Sequence, residues 1–445
     1  MSTEQLFLLR RQDFDKEERL QKRSFDIISN LRLVVFVVGA LAVLMAGYLG
    51  TARQALYVGL PFLLVFIYII HRHDQVEARL NIARAMVKIN QQYQDRLSEQ
   101  WVKFTDQGQE FADPDHPYST DLDIFGPKSL FQWISVARTY CGRQHLYQLL
   151  AEPPQEPDSI LARQGAIKEL AGKLEFCQGL ECRGWLAPEA NRDPEELIAY
   201  AEESSSVSQF MKIIRFLPLI TALSLVLYFL QLLTLLVPIA LLLLQSFIVL
   251  FTYQKTGGAL KPVYSFQKSL HSFGGMLEAI ETEPFQDPYI SSLQAELKKQ
   301  SIPASTAMKE LGKISGAIDM NRSMFYLIIN VGLLWEIQCA LRLANWKVRY
   351  GDRVGDWLRV IGTMEALASL AVITHIHPDW AYPEIEGQGQ KISAGELGHP
   401  LLPPDKCVRN DIDIDNYSCI VTGSNMSGKS TWLRAIGINL VLAYA

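Results

Sequence analysis

Two uncharged apolar runs dominate the start of the chain. Residues 33–49 and 55–70 carry no charged side chain, and only the short stretch 50–54 separates them. A third run, 216–251, is uncharged over 36 positions. The hydrocarbon core of a bilayer takes about 20 helical residues, so this run holds two spans, joined near Gln231 to Leu233, with Pro238 in its second half. The pattern predicts two membrane helical hairpins, at about 33–70 and 216–251.

Outside these runs the period is that of amphipathic helices. Val76, Leu80, Ala83, Met86, Val87 and Ile89 continue the second span into a polar helix over 74–104. Residues 105–118, with Gly, Asp and Pro, read as a linker. An entry turn and helices follow over 121–150, closed by Pro153 and Pro154, and further helices are expected at 159–175, 194–203, 262–281, 289–299 and 305–318. The stretch 324–343 is apolar but interrupted by Asn330, Glu336, Gln338 and Arg342. A charge at a bilayer centre costs about 2.5–3.5 kcal/mol, so it reads as a buried helix of the water-soluble part. Another long helix is expected at 346–376. From Glu384 the composition turns to short β-type segments and turns, which marks a domain boundary. The fold class is mainly α, in three parts: 1–105 with the first hairpin, 106–385 with the second, and 386–445.

Basic residues set the orientation of both hairpins. Lys16, Arg19, Lys22, Arg23 and Arg32 precede the first span, Arg72 and Arg79 follow the second, and the connection holds only Arg53. Lys212 and Arg215 precede the third, and Lys255 and Lys261 follow the fourth. Both hairpins are expected to dip into the membrane and return, leaving both termini and the soluble parts cytoplasmic. The first thirty residues are charged and lack a small-residue cleavage site, unlike a removed signal peptide. The net charge of −5 gives no basic footprint for nucleic acid. The six cysteines lack paired metal spacing, and reduced cytoplasmic thiols are expected. His375 and His377 are alternate residues of an expected helix, which points them apart.

The candidate chemistry lies at Gly423, Ser424, Asn425, Met426, Ser427, Gly428, Lys429, Ser430 and Thr431. The pattern G-x-x-x-x-G-K-[ST] is a phosphate-binding loop. Its glycines let successive N–H groups point at phosphate oxygens, Lys429 adds a charge for the β- and γ-phosphates, and the Ser430 hydroxyl is placed to ligate Mg²⁺. A following helix over 431–440 turns its positive end to the anion. The β-branched run 417–421 is expected to form a buried strand before it. The chain runs only fourteen residues past Thr431. Hydrolysis also needs a second acidic strand for Mg²⁺ and a residue to position water. These 445 residues are therefore expected to hold the truncated start of an α/β ATPase domain, binding ATP weakly at best and not turning it over alone, in a longer protein or a broken reading frame.

The residues Thr422 to Thr431, with Asn425 and Met426 inside the loop and Leu433-Arg434 after it, resemble the ATPase motif of the MutS family of mismatch-repair proteins. Gly398-His399-Pro400-Leu401-Leu402 and Val408 to Ile412 are similar to that family's lead-in to the loop. Glu365 to Ala371 and Tyr382-Pro383 resemble the end of its lever helices. Asp121 to Gly126, with Ser129-Leu130-Phe131 and Gly142, resemble the start of its helical core. Ser424 and Ser427 stand where the family commonly has Pro and Gly, at positions that need no side chain for phosphate contact. The resemblance implies ATP and Mg²⁺ as cofactors, a homodimer through the ATPase domain, and DNA as a partner. Mismatch recognition is not expected. Membrane helices occupy the front of the chain where mismatch-binding members carry a reading domain, and no Phe is followed two residues later by Glu, the wedge those members use. The expectation is a membrane-anchored, MutS-like ATP-binding protein. A transport-type ATPase with fused membrane helices and a non-catalytic membrane scaffold are the alternatives.

Overall fold

The computed structural model describes residues 2–445 except 154–155, 204–208, 300–301, 320–325, 387–390, 416–418 and 425–426, and excepting also the side chains of 52, 53, 188, 253–262, 264, 318 and 319. The chain is mainly helical and divides into two compact units, Met1–Asp106 with Thr374–Trp380, and Gln107–Ile373 with Ala381–Ala445.

The first unit is built on two long helices, α1 (Thr3–Leu49) and α2 (Ala52–Leu97). Ser2 and Gln5 cap the start of α1 reciprocally: the Gln5 N–H donates to Ser2 Oγ at 3.3 Å, and the Ser2 N–H to Gln5 Oε1 at 3.2 Å. The helices run antiparallel over their whole length. Phe7 stacks on Tyr93, Arg84 pairs with Glu18 at 3.2 Å, Phe25 meets His73 and Phe36 meets Phe66. The two halves of this hairpin differ. In the polar half, α2 buries Val76, Leu80, Ala83, Met86, Ile89 and Tyr93. In the apolar half, Leu41, Leu44, Leu49, Leu56, Leu63 and Leu64 are exposed.

The second unit begins with α3 (Leu130–Ile134), α4 (Tyr140–Ala151), α5 (Pro157–Ala171), α6 (Leu174–Trp185) and α7 (Glu195–Glu202). Ser129 and Thr139 cap α3 and α4 by accepting the N–H groups of Gln132 and Gly142. Then come α8 (Gln209–Ile214), α9 (Leu217–Phe229) and α10 (Leu236–Ser265). The turn between α9 and α10 has Gln231 at φ 60°, where length alone places it. Pro238 falls in the first turn of α10, where a missing N–H costs nothing.

Next are α11 (Gln267–Thr282), α12 (Pro288–Leu297) and α13 (Ala304–Asp319). α12 and α13 lie within two residues of their expected bounds, whereas the helix expected from 262 begins at Gln267 because α10 runs on to Ser265. The expected single helix over 324–343 breaks in two, α14 (Tyr326–Leu333) and α15 (Trp335–Tyr350), because Leu334 adopts φ 49° and ψ 47°. The helix expected over 346–376 is also interrupted. A 3-10 turn, Gly351–Arg353, separates α15 from α16 (Val354–Ile376). A Cβ on Gly351 would lie 2.0 Å from the Ala201 carbonyl, so only glycine permits that crossing.

Two antiparallel strands follow, β1 (Lys391–Leu397) and β2 (Asn410–Asp415), with Ile392 opposite Ile414 and Ala394 opposite Ile412. The last helix is α17 (Lys429–Tyr444).

Among the described residues, four helical stretches are long and apolar enough to cross a membrane: Thr3–Leu49, Gln54–Leu97, Gln209–Phe229 and Trp335–Ile376. The shorter Leu236–Thr252 is also apolar. In Trp335–Ile376 the apolar window is 83% buried within the protein, so its hydrophobicity is spent on the core.

Candidate functional site

The loop before α17 is built by two glycines and closed by a lysine. Gly428, the N-cap of α17, has φ 83°, a left-handed conformation that residues with a Cβ adopt only at a cost. The Lys429 ammonium reaches back across the loop and donates to the carbonyl of Gly423 at 2.8 Å, to that of Ser424, and to Ser427 Oγ at 3.4 Å. The Ser427 N–H donates to the Ser424 carbonyl. Gly423, Ser424, Ser427, Gly428, Ser430 and Thr431 are exposed. Asn425 and Met426 lie outside the described residues.

In any α-helix the first-turn N–H groups have no intrahelical acceptor, and the helix dipole makes that end positive. Here this end belongs to a 16-residue helix, with a lysine folded beside it. First-turn N–H donors, a lysine ammonium and a hydroxyl form a donor set that fits a polyphosphate and a hard divalent cation.

The expected strand over 417–421 is corrected in part. Residues 416–418 lie outside the description, but residues 419–424 form no strand, and Ile420 is 84% exposed. A strand needs a paired neighbour, and the described strands, β1 and β2, pair with each other.

The segments flanking the loop are distant in sequence and meet in the second unit. α17 buries Ala435, Ile438 and Val441, one face at helical spacing. Gly437 approaches Leu122 so closely that a Cβ would lie 2.6 Å from its side chain. Arg434 pairs with Asp123 at 3.1 Å. Asn439 donates to the Gly398 carbonyl at 2.9 Å. Burial holds the neighbouring His399 imidazole below its usual range, with Asp123 and Arg434 acting in opposite senses. At the far end Arg163, from α5, donates to the carbonyls of Tyr444 and Ala445 at 2.7 and 2.8 Å. Nothing in the sequence marks Arg163 for this contact, which spans 282 positions.

A second constellation ties the start of the helical unit to α16. The buried Glu365 carboxylate accepts from the N–H groups of Arg138 at 2.9 Å and Thr139 at 3.3 Å, and from the Thr139 hydroxyl. Burial pushes its pKa up to about 7, although these donors pull the other way. The Arg138 guanidinium pairs with Glu181 at 2.6 Å and lies over the Trp185 ring. Ser369, one turn along, accepts the Val136 N–H at 3.1 Å. Burial pushes the thiols of Cys141 and Cys177 up to about 12 and that of Cys182 to about 11. They stay protonated, and all six cysteines are free. His375 lies beside Tyr93 while His377 stacks on Trp380, so they do not converge. Among the described residues His73, Asp74 and Glu77 share one helical turn with donor types for a cation. The two carboxylates are largely in water, and the i, i+4 spacing of His73 and Glu77 is the signal for this pair in the sequence.

No protein-family profile matches the chain. Individual proteins do. A DNA mismatch repair protein MutS of Persephonella marina is 32% identical over 112 residues, 24% of this chain and 13% of that protein. The DNA mismatch repair protein MutS 1 of Haloarcula marismortui is 40% identical over 106 residues, covering 23% and 11% of the two chains. A MutS2 protein of Bacillus subtilis is 28% identical over 163 residues, covering 36% and 20%. The aligned stretches thus span no more than a fifth of these relatives' lengths. Over them, this chain is related to the MutS family.

Proposed function

We propose that this protein is a membrane-anchored ATP-binding protein of MutS type. The observation that carries nucleotide binding is the left-handed Gly428 at the head of α17, with Lys429 folded onto the loop carbonyls. The N–H groups at the start of α17 and Lys429 would hold the phosphates, and Ser430 would ligate Mg²⁺. The metal supplies charge neutralisation on the phosphates when bound. The relatives are named as mismatch-repair proteins, and ATP-dependent work on DNA is the activity carried over as a proposal, with pairing of two copies through the loop-bearing domain.

The membrane reading rests on surface chemistry. The outer half of the α1–α2 hairpin, most of α9 and the 236–251 part of α10 expose leucine, isoleucine, valine and phenylalanine side chains. Water-soluble proteins rarely leave contiguous apolar patches beyond a few hundred Å². At 1.5 Å per residue the 47 residues of α1 extend about 70 Å. The uncharged 33–49 part, about 25 Å, crosses the hydrocarbon core, and the rest stands in the cytoplasm beside the polar half of α2. The basic flanks orient both hairpins toward the cytoplasm, where ATP is.

The test is equilibrium binding of ATP with and without Mg²⁺ to the purified full chain in detergent and to Lys429→Ala. A hydrogen bond to a charged group contributes about 1.5–3 kcal/mol, so the substitution is expected to weaken binding about 10- to 100-fold. Equal affinity in the two proteins would refute the loop as the phosphate site.

A further inference from the structure

We infer that α14 is a third membrane-embedded element, a re-entrant half-span whose outer face meets lipid acyl chains. The inference rests on the membrane reading of the second hairpin. Tyr326–Leu333 is uncharged, and its only polar side chains are Tyr326 and Asn330. Asn330 is buried, and Tyr326 is partly buried, its hydroxyl turned inward. The Asn330 amide donates to the Tyr326 hydroxyl at 3.1 Å, and that hydroxyl donates to the buried Glu336 carboxylate. The apolar side chains face outward instead: Leu327 is 66% exposed, Ile328 70% and Leu333 50%. Polar groups inside and hydrocarbon outside is the arrangement a bilayer selects and water does not.

The pattern reverses across one residue. Beyond Leu334, α15 buries Ile337, Leu341, Leu343, Ala344 and Trp346, and its exposed residues are Arg342, Asn345, Val348 and Arg349. The break between them is chemically completed. Asn330 Oδ1 accepts the Glu336 N–H at 3.1 Å, so a backbone donor freed by the left-handed Leu334 does not face hydrocarbon. Broken helices are tolerated at membrane depth on that condition.

The neighbours fix the level. Leu334 packs with Ile337, Leu341 and Ile248, the last belonging to the uncharged run of α10, and α14 lies against α10. Gln338 donates to the carbonyl of Arg215, the basic residue that opens the second hairpin. The apolar face of α14 therefore continues that of the hairpin, on the hairpin side of its charged flank. Eight residues rise about 12 Å, less than half of a hydrocarbon core of about 30 Å, so α14 enters one leaflet and does not cross.

The experiment reconstitutes the full chain into phosphatidylethanolamine–phosphatidylglycerol vesicles doped with a phospholipid bearing a diazirine in its acyl chain. After illumination, adducts are mapped by peptide mass spectrometry. Adducts are expected on 326–333 as well as on 217–251. Adducts on 217–251 alone would overturn the inference and leave the membrane hairpin standing, whereas none on either would overturn both. In the same vesicles Leu327→Cys and Ile328→Cys should react with a water-soluble maleimide at least about tenfold more slowly than Val348→Cys on α15, since a thiol in apolar surroundings does not ionise. Equal rates would place α14 in water and refute the inference. Slow reaction without lipid adducts would mean that a second protein copy covers this face, and would refute it too.

Discussion

Replacing Glu365 by glutamine should remove a defined pH dependence from the stability of the second unit. The Glu365 carboxyl is buried, and its pKa stands at about 7 against an ordinary 4.5. The folded state therefore binds the proton more tightly than the unfolded chain. Between those two values the folded form carries more protons, so stability falls as pH rises. The contribution is complete below about pH 4.5 and lost as pH climbs through about 7. A shift of this size corresponds to about 3 kcal/mol at 1.36 kcal/mol per unit. Glu365→Gln keeps the shape and one acceptor oxygen for the Arg138 and Thr139 donors but cannot titrate. Urea unfolding of the full chain in detergent, followed by tryptophan fluorescence from pH 4 to 8, provides the measurement. Trp185, under the Arg138 guanidinium at 4.2 Å, is a local reporter. The stability of the parent relative to Glu365→Gln should drop by about 3 kcal/mol across this range. Parallel profiles, or a difference that grows with pH, would show that the three donors hold the carboxylate ionised and that burial does not dominate.

Gly428→Ala should weaken ATP binding without any clash. A Cβ there meets nothing within 4 Å, but φ 83° is left-handed, which costs about 1–2 kcal/mol for a residue with a side chain; an unchanged affinity would mean that the loop binds in another conformation. In intact cells a cysteine at Thr51→Cys should react with an impermeant reagent from outside, while one at Lys255→Cys should stay protected; the reverse pattern would sink the topology. DNA affinity should be weak, should fall steeply with salt and should ignore mismatches, because phosphate contacts release counterions but carry no sequence information. In competition between homoduplex and single-mismatch DNA, a preference beyond about tenfold, or about 1.4 kcal/mol, would reveal a reading element in this chain.

Local features of the fold were legible in the sequence, and long-range ones were not. Apolar spacing located α11, α12 and α13, and span length placed the turn at Gln231, because both depend on residues close together in the chain. The break at Leu334 had no such mark. Leucine is a strong helix former, and the partners it meets in its left-handed conformation, Ile248 and Ile337, include one 86 positions away. Gly351 was visible as a glycine, but its role depends on Ala201, 150 positions earlier. The β-branched Ile420 and Val421 suggested a strand by propensity, yet strands are made by partners. At the candidate site the glycines and Lys429 announced themselves through their spacing. Asp123, Glu365 and Arg434 were noticed only through resemblance, whereas the Arg434–Asp123 pairing and the roles of Arg138 and Thr139 emerged from the structure.

The loop and the second hairpin belong to the same compact unit, and the contacts between them are continuous. Arg434 and Arg163 fasten the two ends of α17 to Asp123 and α5. Glu365 fastens the start of α4 to α16, and α15 rests on α10 through Ile337 and Leu341. The middle joint has no slack. A Cβ on Gly142 would come within 2.2 Å of the Glu365 carboxylate, one on Gly184 within 2.6 Å of Arg138 Cβ, and one on Gly362 within 2.8 Å of the Cys141 backbone. Interiors packed this closely pass on displacement and do not absorb it. A route of packed contacts is not itself coupling, which requires an element with two states that both sites bias. At the head of α17 the loop residues Gly423, Ser424, Ser427 and Gly428 are exposed. There Lys429 donates to carbonyls of its own backbone, contacts that the phosphates of a bound nucleotide would compete for.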